Sequence, residues 1–308
     1  MAWTSDLSKD FIINEADRPS GMRDIGPSAN IWQPDNSIAP PGMSKGYVER
    51  DLFRNPVGSL AGAMVSEEFN KEVPLIPFEN WPALIEEQER NRTRISDIRM
   101  IGDKGKPIPS YDQNGQGFCW EYSTLAGVTL KRAQMGLPYI RLSGHASACK
   151  IKGFKDEGGW CGLSTSDGVT RGFIPASLWV EKSMNRKYDT AENWEIAKNF
   201  CITEGFLDMQ QAVWDMSLTF QQVGSCILGG IPCPVDFNWW SHSICGMDLV
   251  YVTDKYPPSD VRCYGLRIWN SWKDMWGFMG TGVILGKKAV PNGSTAIRNV
   301  MYYEGVAA

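Results

Sequence analysis

Histidine is nearly absent from this chain of 308 residues: His145 and His242 are the only two. Any chemistry that needs an imidazole therefore has two candidates. Long apolar runs are also missing, and the opening Met1-Ala2-Trp3-Thr4-Ser5-Asp6-Leu7 has no basic stretch leading into an apolar one. The expectation is a soluble chain with no membrane span and no secretory leader, cytoplasmic or part of a particle. Charge never collects into a block of one sign, and the formal net charge is -4. A nucleic-acid partner or an anionic membrane surface thus has no electrostatic footprint. Cysteine is absent before Cys119, and all eight fall between Cys119 and Cys263. Without a leader, buried reduced thiols are expected rather than a disulfide framework. His145, Cys149 and Cys161 match no common zinc spacing and lack an evident fourth ligand, so neither metal nor cofactor is expected.

What is present is apolar material. Hydrophobic residues make up 43% of the chain and Trp occurs 13 times, enough for a substantial core. Residues 1–94 hold nine of the 18 prolines and no cysteine. Stretches such as Trp32-Gln33-Pro34-Asp35-Asn36 and Ala39-Pro40-Pro41-Gly42 read as extended arm or turn, with short helical pieces near 57–69 and 80–94. Phe11, Ile12, Ile13, Trp32, Leu52 and Phe53 argue against disorder, so this region reads as an arm laid over the rest of the chain or over a neighbour. From Cys119 to Gln134 the pattern is a mostly buried helix, stopped by Gly136 and Pro138. Residues 139–188 are rich in Gly and Ser, and one or two helices are expected within 190–223. Short apolar runs at 226–237, 243–252, 262–269, 280–285 and 296–303 read as antiparallel strands. Helices first and strands later predict an α+β protein with two lobes.

The chemistry lies in Gln113-Asn114-Gly115-Gln116-Gly117-Phe118-Cys119-Trp120, with Ser241-His242-Ser243 and Asn270-Ser271-Trp272 far downstream. A free thiol with a pKa of about 8.5 is mostly protonated at neutral pH. The partial positive charge of a helix N-terminus and a neighbouring imidazolium both favour the thiolate. Cys119 opens the expected helix, and His242 can supply the imidazole. The pair would act as nucleophile and proton carrier. The Cys119 N–H and the Gln113 side-chain amide can meet the oxyanion of a tetrahedral intermediate. Asn270 can hold the imidazole plane, and Trp272 can shield that bond from water.

These residues resemble the papain family of cysteine peptidases. Around the nucleophile, Gly117, Cys119 and Trp120 match three positions of the family's C-G-[SA]-C-[WY] window. Gln113 lies six residues before the cysteine and Ser123 four after it, as is usual there. Arg94-Ile95-Ser96-Asp97-Ile98-Arg99 is similar to the start of the family's mature domain. Gly158-Gly159-Trp160-Cys161-Gly162-Leu163 is similar to its glycine-rich cleft wall, with Gly158 and Gly159 as substrate-binding candidates. Ile227-Leu228-Gly229-Gly230-Ile231-Pro232 is similar to the strand before the histidine. Asn270-Ser271-Trp272 with Trp276-Gly277 is similar to the asparagine motif. The resemblance covers about residues 94–305 in collinear order.

It implies a papain-like two-lobed α+β fold over 95–308, preceded by an arm or propeptide-like region over 1–94. It also implies hydrolysis of polypeptide substrates through an acyl-cysteine. Departures bear on this. Gln116 replaces a cysteine that normally forms a disulfide, and Phe118 is a bulky ring that would narrow or cover the cleft. Glu121 stands where a small residue is usual, and Ser241 where Asn or Asp is commoner. The alternative is a papain-like fold kept as an interaction module of a larger assembly such as a virion, bound to its partners through residues 1–94. A thiol amidase acting on cell-wall peptides is a third reading with the same Cys/His pair.

Overall fold

The structure is a computed structural model that describes residues 3–14, 43–210 and 216–305. The expected extended stretches at 32–36 and 39–42 lie outside these residues. The elements of the first third are short: β1 (Ile12–Ile13), β2 (Ala63–Met64), α1 (Ser66–Phe69), α2 (Trp81–Asn91) and α3 (Ile95–Ile101). A helical lobe follows, with α4 (Cys119–Gln134), α5 (Gly144–Ile151), α6 (Cys161–Thr170) and α7 (Ala191–Ala197). Then come β3 (Ile202–Gln210), α8 (Met216–Leu228), β4 (Cys233–Phe237), β5 (His242–Tyr251), β6 (Tyr264–Trp269), β7 (Thr281–Leu285) and β8 (Gly293–Val300).

One eight-stranded sheet runs in the order β1-β7-β6-β5-β4-β8-β3-β2. Its centre is antiparallel, as the turn-rich late sequence predicts. The outer strands β1 and β2 come from the N-terminal region and pair parallel with β7 and β3. All ten residues of β5 are buried. The cause is coverage of both faces: α4 packs against it, and so do α2 and α8. A strand covered on both faces reads as a continuous apolar run rather than an alternation.

Two parts differ from the sequence expectation. One or two helices are expected within 190–223, and α7 and the start of α8 lie there, but β3, which the sequence reading does not anticipate, occupies 202–210 between them. This strand is interrupted by a bulge at Glu204 and Gly205, both at positive φ, before the buried run Phe206 to Met209. The bulge breaks the two-residue period that would have marked a strand. The apolar run at 226–237 is the end of α8 joined to β4. Gly230, at φ 77, terminates the helix between them.

The N-terminal region lies over the rest of the chain and is bonded into it. Phe11 and Ile13 are buried against the sheet. Asp10 accepts two hydrogen bonds from the Arg267 guanidinium, at 3.1 and 2.7 Å. Asp248 is buried, accepting from Arg267 and from the Ser96 N–H. Arg50 forms a buried bidentate pair with Asp208 of β3, at 2.7 and 3.0 Å. Phe69, Phe78, Trp81 and Ile85 share one apolar cluster with α8 and the sheet. Gly224 is required beneath Trp81, since a Cβ there would lie 2.1 Å from the ring.

Residue 81 should therefore behave as core. Trp81→Ala is expected to cost about 3–5 kcal/mol of stability. Phe53→Ala, at a side chain 96% exposed, should change stability by less than ~0.5 kcal/mol. Urea unfolding of both variants checks this.

Candidate active site

The loop before α4 is shaped by its own sequence. Asn114 and Gly115 adopt left-handed φ values of 53 and 76, which asparagine and glycine tolerate best. This closes a turn in which the Gln116 N–H donates to the Gln113 carbonyl at 3.2 Å. The Trp120 indole N–H donates to the Gly117 carbonyl at 3.0 Å, and the Gly117 N–H donates to Asp156 at 2.8 Å. Cys119 is thereby delivered as the first residue of α4, where helix N–H groups concentrate positive potential.

His242 is the first residue of β5 and is fully buried. Its Nε2 lies 2.9 Å from Asn270 Oδ1. An amide oxygen only accepts, so Nε2 carries the proton and Nδ1 has the free lone pair. Nδ1 has no hydrogen-bond partner. The Trp272 ring stacks on the imidazole with centroids 4.4 Å apart, and Trp240 adds a second ring at 5.0 Å. The adjoining Ser243 N–H donates to Cys119 Sγ at 3.4 Å. The sulfur thus abuts the residue next to the imidazole, and Cys119 and His242, distant in sequence, are both fully buried. Ser241, just before the histidine, has φ 52. That geometry explains why Asn or Asp, which tolerate it better, would suit the position.

Gln113 joins the two loops. Its Oε1 accepts from the Ser271 hydroxyl at 2.6 Å, and its N–H donates to the Ser271 carbonyl at 3.0 Å. With the oxygen held, Nε2 points outward and donates to the Gln116 and Ser44 carbonyls, both at 2.7 Å. Ser44 belongs to a segment that crosses the site. The Gly46 carbonyl accepts from the Gly159 N–H at 2.9 Å, and the Val48 N–H donates to the Gly159 carbonyl at 2.9 Å. The Tyr47 N–H donates to the Ser241 carbonyl at 3.2 Å. The Trp272 indole N–H donates to the Ser44 carbonyl at 3.3 Å. Glycine is required at three of these points. A Cβ on Gly46 would lie 2.0 Å from the Gly117 oxygen, and one on Gly158 2.5 Å from the Gly46 oxygen. Gly159 is pressed against the Trp120 ring in the same way.

Phe118 does not cover the cleft. Its ring is buried against Trp120 and His145. The cover is the 44–48 backbone.

Electrostatics follow from this cover. Burial pushes the Cys119 thiol up to about 12, partly opposed by the N–H groups of Ser243 and Gly46. Burial lowers His242 to about 3, opposed by its bond to Asn270 and reinforced by Lys45. The resting pair is a neutral thiol and a neutral imidazole. Asp236, beneath Ser243, is raised to about 6 by burial despite its bonds to Ser243 and Cys161. Ser243, Ser271, Asp236 and the 44–48 segment were not identified from sequence. Serines and a strand aspartate carry no distinguishing pattern, and the segment meets the site only in three dimensions. All eight cysteines are free thiols. Among the described residues, no cluster of His, Cys, Asp and Glu could hold a metal ion, and no helix is long and apolar enough to cross a membrane. His145 lies apart from this pocket, buried on α5.

The His242 shift has a testable sign. Protonation favours the unfolded chain, so the stability His242 contributes is complete above pH 6.5 and is lost as pH falls towards 3. In His242→Gln, which keeps a donor for Asn270, this dependence disappears. Urea unfolding should show the stability gap between wild type and variant narrowing between pH 6.5 and 3.5. A constant gap would contradict a buried neutral imidazole.

No family model matches the chain, and no curated protein matches it significantly in sequence. Solved structures do. Xylellain, a cysteine protease from Xylella fastidiosa, superposes with a TM-score of 0.52 at 14% identity, covering 83% of this chain and 96% of that one. ProCathepsin B S9 from Trypanosoma congolense gives 0.47 at 12% identity, covering 84% and 87%. Digestive procathepsin L 3 of the Tenebrio molitor larval midgut gives 0.43 at 13%, covering 73% and 90%. None of these supports a particle component. The chain has the mixed helix-and-sheet fold of the papain-like cysteine proteases.

Proposed function

We propose that the protein is a cysteine peptidase that hydrolyses peptide bonds through an acyl-cysteine, held closed by residues 44–48. The observation that carries this reading is the histidine tautomer. Asn270 Oδ1 accepts a hydrogen bond from Nε2–H, which leaves the Nδ1 lone pair free one residue from the N–H that meets the Cys119 sulfur. Nδ1 removes the thiol proton, and the sulfur attacks the substrate carbonyl carbon. The oxyanion meets the Gln113 amide and the Cys119 N–H. The C–N bond then breaks as the imidazolium returns its proton to the leaving amine. Water, deprotonated by the same nitrogen, releases the acyl group.

The Ser44 carbonyl already occupies the Gln113 donor, as an acyl oxygen of a substrate would. Immediately after the cover, Arg50 is locked to Asp208, so opening is confined to the few residues before it.

Opening should unmask the chemistry. Gly46→Ala puts a methyl into the Gly117 carbonyl and should expel the segment. A thiol-directed epoxide is then expected to label Cys119 faster than in wild type, and His242→Ala should abolish labelling. The same open variant should cleave peptides and lose activity with Cys119→Ala. Gln113→Ala should lower kcat by roughly 10²–10³. An open variant that labels but cleaves neither protein nor peptidoglycan peptides would sink the peptidase reading, and cleavage of the latter alone would favour an amidase.

A further inference from the structure

The second histidine has no place in the chemistry above, yet it is fully buried and both its ring nitrogens are engaged. The Tyr122 hydroxyl lies 2.7 Å from His145 Nδ1. His145 Nε2 meets Gln116 Oε1. The Gln116 amide nitrogen faces the Met184 sulfur at 3.6 Å, which places the amide oxygen toward the histidine. An amide oxygen accepts, so Nε2 carries the proton and Nδ1 accepts from Tyr122. Phe118 and Tyr122 meet the ring edge to face, with centroids 5.3 and 5.9 Å away. Burial holds the imidazole neutral, lowered to about 4, with Lys182 reinforcing and Asp112 opposing that shift. A neutral ring has one donor and one acceptor, and both are spent here.

Gln116 passes this restraint on. Its backbone carbonyl accepts from Gln113 Nε2 at 2.7 Å, and its N–H donates to the Gln113 carbonyl at 3.2 Å. Gln116 is thus clamped at its side chain by α5 and at its backbone by the residue that supplies the side-chain donor for the oxyanion. We propose that His145 is a positioning residue: through Gln116 it sets where the Gln113 amide points, and so the strength of oxyanion stabilisation. This rests on the peptidase reading for its kinetic consequence but not for its geometry. A donor that is mobile by a fraction of an ångström gives up stabilisation only where charge develops, so kcat falls while substrate binding is spared.

Two near-isosteres separate the nitrogens. His145→Gln can place an N–H near the Nε2 position and keep the link to Gln116. His145→Asn reaches only the Nδ1 position and keeps Tyr122 alone. In the full-length Gly46→Ala chain, His145→Asn should lower kcat by about 10-fold or more with KM unchanged, and His145→Gln should retain most of it. Alkylation of Cys119 by iodoacetamide, which expels iodide and builds no oxyanion, should be equal in both. In a Gln113→Ala background, His145→Asn should have no further effect on kcat, because the donor it positions is gone. Additive losses would overturn the proposal, as would equal damage by Asn and Gln. The geometry is read independently by amide hydrogen exchange at Gln116. Exchange should quicken in His145→Asn and match wild type in His145→Gln. Unchanged exchange in His145→Asn overturns the link even if the chain cleaves nothing. Quickened exchange without peptidase activity upholds the link while removing the reading built on it.

Discussion

One hydrogen bond organises the candidate chemistry: His242 Nε2 to Asn270 Oδ1, inside a wall of indole rings. It decides which ring nitrogen is a base. It also ties β5 to the loop after β6, and the Ser271 beside Asn270 holds Gln113 on the opposite side of the pocket. The histidine and the Gln113 amide are thus positioned from one short stretch, 270–271. Since that stretch is buried, an error in it cannot be repaired by solvent.

The second constraint is close approach of backbone to backbone. Gly46, Gly158 and Gly159 lie where two chain segments and one indole ring meet with no room for a Cβ. The 44–48 segment can therefore occupy the cleft and be held there through backbone hydrogen bonds. Dehydration under that cover drives the thiol up and the imidazole down, to a neutral pair. The same residues become an ion-pair candidate only when water returns.

Much of the candidate site was legible in the sequence, because Cys119, His242, Asn270 and Gln113 are chemically distinctive and stand in a recognisable order. Gly158 and Gly159 were legible as cleft wall, and they pair with the backbone that fills it. The strands from β4 onward were legible because turn residues punctuate them. β3 was not, since a bulge at Glu204 and Gly205 breaks its period and its pairing partner β8 lies far downstream. Phe118 was misjudged as a cover because a sequence does not say which way a side chain beside a nucleophile points. The N-terminal arm was read as laid over the chain, but its strands β1 and β2, the Arg50–Asp208 pair and the cleft-filling Gly46 all depend on partners over a hundred residues away.

The sequence by itself determined which groups are available: one thiol at a helix start, two imidazoles, the amides, and glycines where the backbone must pass closely. These are local matters of chemical identity and backbone freedom. Only the tertiary structure decided that one imidazole sits one residue from the N–H that meets the sulfur while the other bonds to Tyr122 and Gln116. It also decided that the sulfur is protonated and covered. Protonation and access depend on what excludes water from a group, and that is set by segments distant along the chain.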